Sequence, residues 1–410
     1  MTGSVGEEAA GAEGAPPTAS GAAASHRGSA AGVVLAPFLP LFGLDAVMAS
    51  TVGMVPPLLP LLAADWTLSH VQVGLINTAY ALGRLTGSYP ATRLRARHGT
   101  RVAVLVGLGG LVAGVAGCGL ASGFAGFLVG RLVMGLGASA AYLAVFAELL
   151  ETAPAAWRGR LANAFEAMAI ASLAAGSVLA ASVTRVAGWR GVFLAVAGLL
   201  LVSLVAVPRI GPEAGRHDAR APGGRGPLSV TALRPLGPVC GAALTLALTW
   251  SGLFATLVPL LGHERYGLSS AALGWALAAG YVAELAGLVG LGLAIDRVRR
   301  EPAFLAGAVS VAAGGLILAA ASQPSLFVVG LMLIGGGYAN WMIPATVLVD
   351  RSGTPIPPGH LAIFRITMDI GMILGPILLG SLAELAGDRV AVGAAGFVLI
   401  GGGLALARRG

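Results

Sequence analysis

The 410-residue sequence contains no lysine, only two cysteines and few charged side chains. Without lysine the chain has no Walker A phosphate loop and no Schiff-base nucleophile. Cys118 and Cys240 lie in separate apolar runs, away from any CxxC or Cys/His spacing, so we expect neither a disulfide framework nor a zinc site. Charged residues make up 10% of the chain and hydrophobic residues 56%, whereas soluble domains carry about 25% charge. These proportions exclude an ordinary soluble protein.

The sequence is instead rich in apolar runs long enough to cross a bilayer, which takes about 20 residues per helix. We predict an all-α polytopic membrane protein with twelve spans in two groups of six. The predicted spans are 33–62, 71–92, 101–121, 123–148, 161–183 and 190–208, then 236–261, 271–294, 303–321, 325–349, 360–382 and 388–407.

Two polar segments divide the chain. Residues 1–31 are rich in Gly, Ala, Ser and Pro and predict a disordered tail, and residues 209–234, rich in Gly, Pro and Arg, predict a linker. Six-helix bundles are then expected at 32–208 and 235–410.

The net charge of +7 comes from arginines in short clusters between apolar runs, without the basic face of a nucleic-acid binder. Most of these clusters lie on the side of the termini and linker. The positive-inside rule therefore predicts a protein of the cytoplasmic membrane with both termini in the cytoplasm.

The two halves of the chain resemble each other at a fixed offset of about 200 positions. Matching pairs include Leu68 with Leu268, Gly74 with Gly274, Gly87 with Gly287, Arg97 with Arg297, Gly130 with Gly330 and Gly137 with Gly337. A register kept over several helices predicts two structurally equivalent halves that run in the same direction.

Short motifs add a family resemblance. Gly99-Thr100-Arg101 resembles the end of a Gly-x-x-x-Asp-Arg-x-Gly-Arg-Arg loop motif, and Gly292, Asp296, Arg297 and Arg300 fit the same motif after the eighth span. Arg131, Gly135 and Gly137 resemble a fourth-span Arg-x-x-x-Gly-x-Gly pattern, and Gly188-Trp189-Arg190 resembles the entry to a sixth span.

Together these motifs are similar to the major facilitator superfamily (MFS) across residues 33–407. Val55-Pro56-Pro57-Leu58-Leu59-Pro60 and the eleventh-span Gly371, Gly375 and Pro376 are similar to twelve-span drug:proton antiporters.

The resemblance implies a monomeric secondary transporter that works by alternating access, not an enzyme, with no cofactor and no metal. Its partners are a small-molecule substrate, protons and the lipid bilayer, and nucleic acid is not among them. We predict proton-coupled efflux of amphipathic, drug-like molecules; proton-coupled uptake is the alternative. A membrane enzyme or sensor is a third reading, but the sequence lacks the catalytic cluster or attached soluble domain that it needs.

Charged side chains within spans are costly and therefore functional candidates. Asp45 is the predicted proton-binding residue and Arg131 the residue that tunes it, with a fixed ion pair as the alternative.

In the family fold the second helix packs on the eleventh and the fifth on the eighth, so Glu166 is expected to approach Glu284 and share a proton. The same packing predicts interdomain ion pairs among Arg84, Arg365 and Asp369, with Arg365 and Asp369 on one helix face.

Two further sets of residues are candidates. The first is a cytoplasmic gate, with a solvated loop as the alternative: Gly99, Arg101, Glu148, Arg160, Gly292, Asp296, Arg297 and Arg300. The second is a substrate pocket whose aromatic character favours drug-like molecules over sugars, with bundle packing as the alternative. It comprises Tyr142, Phe146, Trp250, Phe254, Tyr338, Asn340 and Trp341.

Overall fold

The computed structural model describes residues 36–210, 236–294, 299–352 and 358–408, and within these ranges the regular elements are all helical. The described residues form ten helices that are long and apolar enough to cross a membrane. They are α1 (Ala36–Trp66), α2 (His70–Leu120), α3 (Phe124–Thr152), α4 (Arg158–Arg209), α5 (Gly237–Glu264), α6 (Ser270–Ala294), α7 (Arg300–Ala320), α8 (Pro324–Ser352), α9 (Pro358–Ala386) and α10 (Asp388–Ala407). The predicted tail and nearly all of the predicted linker lie outside the described residues.

Helices α2 and α4 each contain two spans. They have 51 and 52 residues, whereas about 20 residues cross a bilayer. Each is broken at a glycine, Gly99 (φ 83°) and Gly188 (φ 65°), in a conformation that residues with a side chain rarely adopt. We call the parts of α2 before and after Gly99 α2a and α2b. With α2 and α4 divided in this way, the ten helices agree with the twelve predicted spans.

Three other helices contain irregular backbone. Pro56 and Pro57 lack an N–H and force a 3₁₀ turn in α1, α5 is π-helical over Trp250–Leu257, and α8 has a 3₁₀ turn over Ala339–Met342. Within a membrane, irregular backbone is tolerated where protein buries it or where it lines a cavity. Each of these three stretches contributes residues to the central cavity described below.

The helices before the segment 211–235 form the first group and those after it the second group. We call the end of the bundle that holds Gly99 and Arg209 the linker end, and the end that holds Trp66 and Gly188 the opposite end. As the family resemblance implied, α2a packs on α9 and α4 packs on α6. At the opposite end these contacts are close: a Cβ on Gly74 would lie 2.7 Å from the Pro376 carbonyl oxygen, and one on Gly274 would lie 2.5 Å from that of Ser177.

Glycines also bring helices together within the first group, as the small residues of these spans predict. A Cβ on Gly114 of α2b would lie 2.4 Å from the Met134 nitrogen, and one on Gly135 of α3 would lie 2.2 Å from the Tyr80 carbonyl oxygen. The segment 135–140 has the Gly-x-Gly-x-x-Ala spacing of a dinucleotide-binding motif. Here its small residues form a helix-packing surface instead.

Candidate functional site

A cavity of about 430 Å³ lies between the two groups of helices. Its walls come from α1 to α6, α8 and α9. The seven charged residues that the sequence analysis proposed for proton coupling or interdomain ion pairs all line it: Asp45, Arg84, Arg131, Glu166, Glu284, Arg365 and Asp369. The cost of a charge in lipid explains why a sequence pattern alone could find them.

Three carboxyl groups share this cavity, those of Asp45, Glu166 and Glu284. Asp45 and Glu284 are 2% and 3% exposed. Within the described residues, Asp45 Oδ2 and Glu284 Oε2 have no hydrogen-bond partner. An ionised carboxylate in such a place costs several kcal/mol, so a bound proton or a cationic ligand would relieve it. Neighbouring carboxylates also share a proton more easily than they both ionise.

The hydrogen bonds of Arg131 go to groups other than Asp45. Its Nε donates to the Ile76 carbonyl oxygen (3.1 Å), its Nη2 donates to Asn77 Oδ1 (3.1 Å), and its guanidinium lies over the Tyr80 ring. No salt bridge joins Arg131 to a carboxylate in the described part of the chain. The fixed ion pair with Asp45 is therefore wrong for this conformation, and no direct contact supports the tuning role.

Asn77 is a cavity residue that the sequence analysis missed. Its Nδ2 donates to the Ala255 carbonyl oxygen (3.1 Å) and to Thr256 Oγ1 (2.9 Å) in the π-helical stretch of α5. Because Asn77 also accepts a hydrogen bond from Arg131, it links α3 of the first group to α5 of the second. The only sequence signal was an amide side chain well inside an apolar span.

Among the described residues, one of the predicted ion pairs forms, and it lies within one helix and does not join the two groups. Arg365 Nε lies 3.8 Å from Asp369 Oδ2 on α9, on one helix face as predicted. Arg84 has no carboxylate oxygen within 4.0 Å among the described residues, so its predicted pair with Asp369 is absent. Both Arg84 and Asp369 line the cavity.

The predicted gate residues also pair within their own group. Thr100 Oγ1 donates to Glu148 (2.9 Å), Arg101 Nη2 donates to the Ile210 carbonyl oxygen (2.7 Å), and Arg300 bonds Asp350. Arg160 is exposed and lies over Trp157.

Gly99 supplies the break in α2, and Gly292 lies near the end of α6. Asp296 and Arg297 lie outside the described residues. A gate that joins the groups at the linker end is therefore not formed among the described members of the set.

Four of the seven predicted pocket residues line the cavity. Tyr142 and Phe146 stack with ring centroids 5.8 Å apart, and Trp250 and Trp341 meet edge-on at 6.0 Å. Unpredicted apolar residues complete the lining, among them Met48, Met342, Phe364, Met368 and Met372.

The other three predicted pocket residues lie outside the cavity lining in this conformation. Phe254 and Tyr338 are fully buried and pack on each other and, for Phe254, on Tyr281 of α6. Asn340 donates to the Ala303 carbonyl oxygen of α7 (3.0 Å). Their faces of α5 and α8 therefore pack on neighbouring helices of the second group, which is the bundle packing that the sequence analysis held as the alternative.

Because Phe146 lines the cavity and Phe254 packs between helices, we expect their replacement by alanine to affect different quantities. Phe146→Ala removes a cavity wall, so we expect it to raise the apparent KM for an aromatic substrate roughly fivefold, the equivalent of about 1 kcal/mol of aromatic contact, without lowering the melting temperature. Phe254→Ala leaves a void in packed helices, at a cost of about 3–5 kcal/mol, so we expect a large drop in melting temperature. Transport kinetics in liposomes and thermal unfolding in detergent measure both. Equal effects of the two variants on both quantities would contradict the assignment.

The arrangement of charged and aromatic residues in a cavity between two helix groups can be compared with known proteins. The sequence profile of the Major Facilitator Superfamily matches residues 41–272 and 239–409. The chain belongs to this superfamily. It is thus a multi-pass membrane transporter and not an enzyme, as the sequence motifs predicted.

Individual relatives are distant. The MFS-type transporter YcaD of Escherichia coli O7:K1 (strain IAI39), itself described as uncharacterized, is 25% identical over 345 residues, which cover 83% of this chain and 87% of YcaD. The multidrug resistance protein MdtL of Klebsiella pneumoniae (strain 342) is 24% identical over 302 residues, 73% of this chain and 76% of MdtL. Among solved structures, a D-xylose-proton symporter superposes with a TM-score of 0.71 at 17% identity, over 91% of this chain and 96% of the symporter. The last likeness concerns the fold alone.

Proposed function

We propose that this chain is a proton-coupled exporter of amphipathic small organic molecules, which acts as a monomer in the cytoplasmic membrane with its linker end in the cytoplasm. The observation that carries the proposal is the pair of buried, unpartnered carboxyl oxygens of Asp45 and Glu284 in a cavity with aromatic and methionine walls. The partial likeness to the multidrug resistance protein MdtL favours export and drug-like solutes.

The two groups of helices are in contact at the opposite end of the bundle, so the cavity is closed there. Within the described residues, every hydrogen bond and salt bridge between the two groups involves α2 residues 70–78, at the opposite end. Residues toward the linker end, such as Ser88, Phe146, Ala162 and Arg365, face the cavity instead. We infer a state open to the cytoplasm, from which the two six-helix bundles rock to open the opposite end.

The coupling chemistry follows from competition for the same carboxyl groups. A proton taken up by Asp45 or Glu284 removes the cost of a buried charge, and so does a cationic group of the substrate. Since either ligand satisfies the same oxygens, binding of one favours release of the other. Aromatic walls and flexible methionines would hold the apolar part of varied substrates. Exchange of outside protons for inside substrate then drives export.

The test uses the purified protein in liposomes that contain a pH dye. Amphipathic cations, neutral drugs and small organic acids are added under an imposed proton gradient. We expect amphipathic cations to elicit proton movement opposite to their own. Movement in the same direction would replace export by proton-coupled uptake, and no proton response to any compound would exclude proton coupling.

A further inference from the structure

Three potential metal ligands from three helices meet at the opposite end. His70 begins α2, Glu264 ends α5 and Asp388 begins α10, so the first group supplies the imidazole and the second group both carboxylates. His70 Nε2 lies 3.5 Å from Glu264 Oε2 and 3.3 Å from Asp388 Oδ1. All three ligand atoms lie within 4.8 Å of one another. No sequence pattern indicates this cluster, because its members are almost 200 and 124 positions apart in the chain.

The spacing fits a tetrahedral metal ion as well as it fits an ion pair of His70 with the two carboxylates. Zinc bonds to nitrogen and oxygen ligands are about 2.0–2.2 Å long, so two ligands of a tetrahedral site lie roughly 3.3–3.6 Å apart. Both His70 distances fall in this range. The Nε2 atom is shielded from solvent and makes two ion-pair contacts, to Glu264 and Asp388, but no hydrogen bond of regular geometry within the described part of the protein.

The surrounding charge also favours a cation. A carboxylate oxygen of Glu264 and one of Asp388 lie within 4.8 Å of each other, and Glu384 of α9 lies nearby, where its carboxylate accepts a hydrogen bond from the Val71 backbone N–H (2.9 Å). His263 and Arg389 are the basic neighbours in sequence. The side chains of His70, Glu264 and Asp388 are 23%, 45% and 26% exposed, so solvent reaches the cluster.

We propose that His70, Glu264 and Asp388 form a binding site for a divalent transition-metal ion of the zinc class. Three protein ligands leave the fourth tetrahedral position to water. The site is separate from the central cavity, whose lining contains none of the three residues, and it does not depend on which solute the protein carries.

The position of the site gives the metal ion a conformational effect. A bound ion joins α2 of the first group to α5 and α10 of the second, so it stabilises the conformation in which the opposite end is closed. If only this conformation binds the ion, a free concentration of 100 times its Kd shifts the equilibrium about 100-fold toward it. The ion therefore acts as an inhibitor that locks the transporter with its cavity facing the linker end.

The first measurement is Zn²⁺ binding to the full-length protein, purified without a histidine tag, by competition with a zinc dye. Cys118 and Cys240 are replaced by alanine so that no thiol binds the metal. We expect one Zn²⁺ per chain, and an affinity more than about tenfold weaker in His70→Gln and Asp388→Asn, since loss of even an outer-shell partner costs that much. His263→Gln is the matched control, because this neighbouring imidazole contacts the Leu268 carbonyl oxygen and not the cluster; its affinity should be unchanged.

Two further measurements separate loss of a ligand from loss of structure. Co²⁺ bound to the wild-type site should give the intense visible absorption of a tetrahedral complex, and His70→Cys, which restores a ligand, should bind Co²⁺ with an added thiolate band. Zn²⁺ should also speed the labelling of a reporter cysteine, Ala162→Cys in the cavity wall, from the linker end. Equal Zn²⁺ binding by the wild type and His70→Gln would overturn the proposal, as would wild-type protein that binds no Zn²⁺ at millimolar concentration. Neither result depends on solute transport, so neither bears on the proposed export function.

Discussion

Asp45→Asn is expected to abolish transport driven by a proton gradient. Asparagine keeps the size of the side chain but neither binds nor releases a proton, so the charge change that couples the two ligands is lost. We expect gradient-driven uptake into inverted vesicles to fall at least about 100-fold, the equivalent of about 3 kcal/mol of charge stabilisation. Exchange of labelled for unlabelled substrate without a gradient should survive, because the aromatic walls of the cavity are unchanged. Glu284→Gln should behave in the same way, since Glu284 shares the burial and the unpartnered oxygen of Asp45.

The matched control for these variants is Glu301→Gln. Glu301 lies in the first turn of α7 and is absent from the cavity lining, so the same chemical change there should leave both assays at wild-type rates. If Asp45→Asn still moved protons against substrate, another group would have to bind the proton. Glu166, the third acidic group of the carboxyl set in the cavity, would be tested next.

Gly74→Ala is expected to shift the protein away from the conformation described here. A Cβ at this position of α2a would lie 2.7 Å from the Pro376 carbonyl oxygen, and the obstacle is backbone, which cannot rotate away. Overpacking of this kind costs about 1–3 kcal/mol, which corresponds to a shift of roughly five- to 150-fold in the balance of two states. The strain is present only while the opposite end is closed. Labelling of the Ala162→Cys reporter from the linker end should therefore slow by a similar factor.

The control lies on the same helix. Gly109→Ala also adds a methyl group to α2, but no atom lies within 4 Å of its Cβ, so the labelling rate should not change. Thermal unfolding distinguishes a shifted balance from a damaged fold, because only the latter lowers the melting temperature of Gly74→Ala far below that of the control. A normal labelling rate in Gly74→Ala would mean that the α2a–α9 contact does not hold the opposite end closed.

The prediction of separate spans on either side of Gly99 and Gly188 illustrates what the sequence could supply. Apolar runs, interrupted by arginines and glycine, record the length of bilayer that each helix crosses. Charged residues within those runs were correct cavity candidates for the same reason, since lipid tolerates a charge only where it faces protein or water. The pairing of α2a with α9 and α4 with α6 came from the family resemblance and agrees with the structure.

The structure differs from the sequence predictions at residues whose role depends on the direction in which the side chain points. Trp250 and Phe254 are one helical turn apart, yet the first faces the cavity and the second packs on Tyr281. Arg131 is at cavity depth as predicted, but its guanidinium bonds Ile76 and Asn77 and not Asp45. Helical spacing assigns residues to a face of a helix; it does not say which face meets the cavity and which meets a neighbouring helix.

The sequence by itself determined the membrane environment, the number of spans, the superfamily and the buried charges that line the cavity, because each of these follows from hydropathy or from short motifs along the chain. Tertiary structure alone decided which charges meet. It separated Arg84 from Asp369, left Asp45 and Glu284 without partners, and brought His70 to Glu264 and Asp388. The physical reason is that electrostatic interactions depend on distances of a few ångströms between residues far apart in the chain, and only the packing of the helices in one conformation sets those distances.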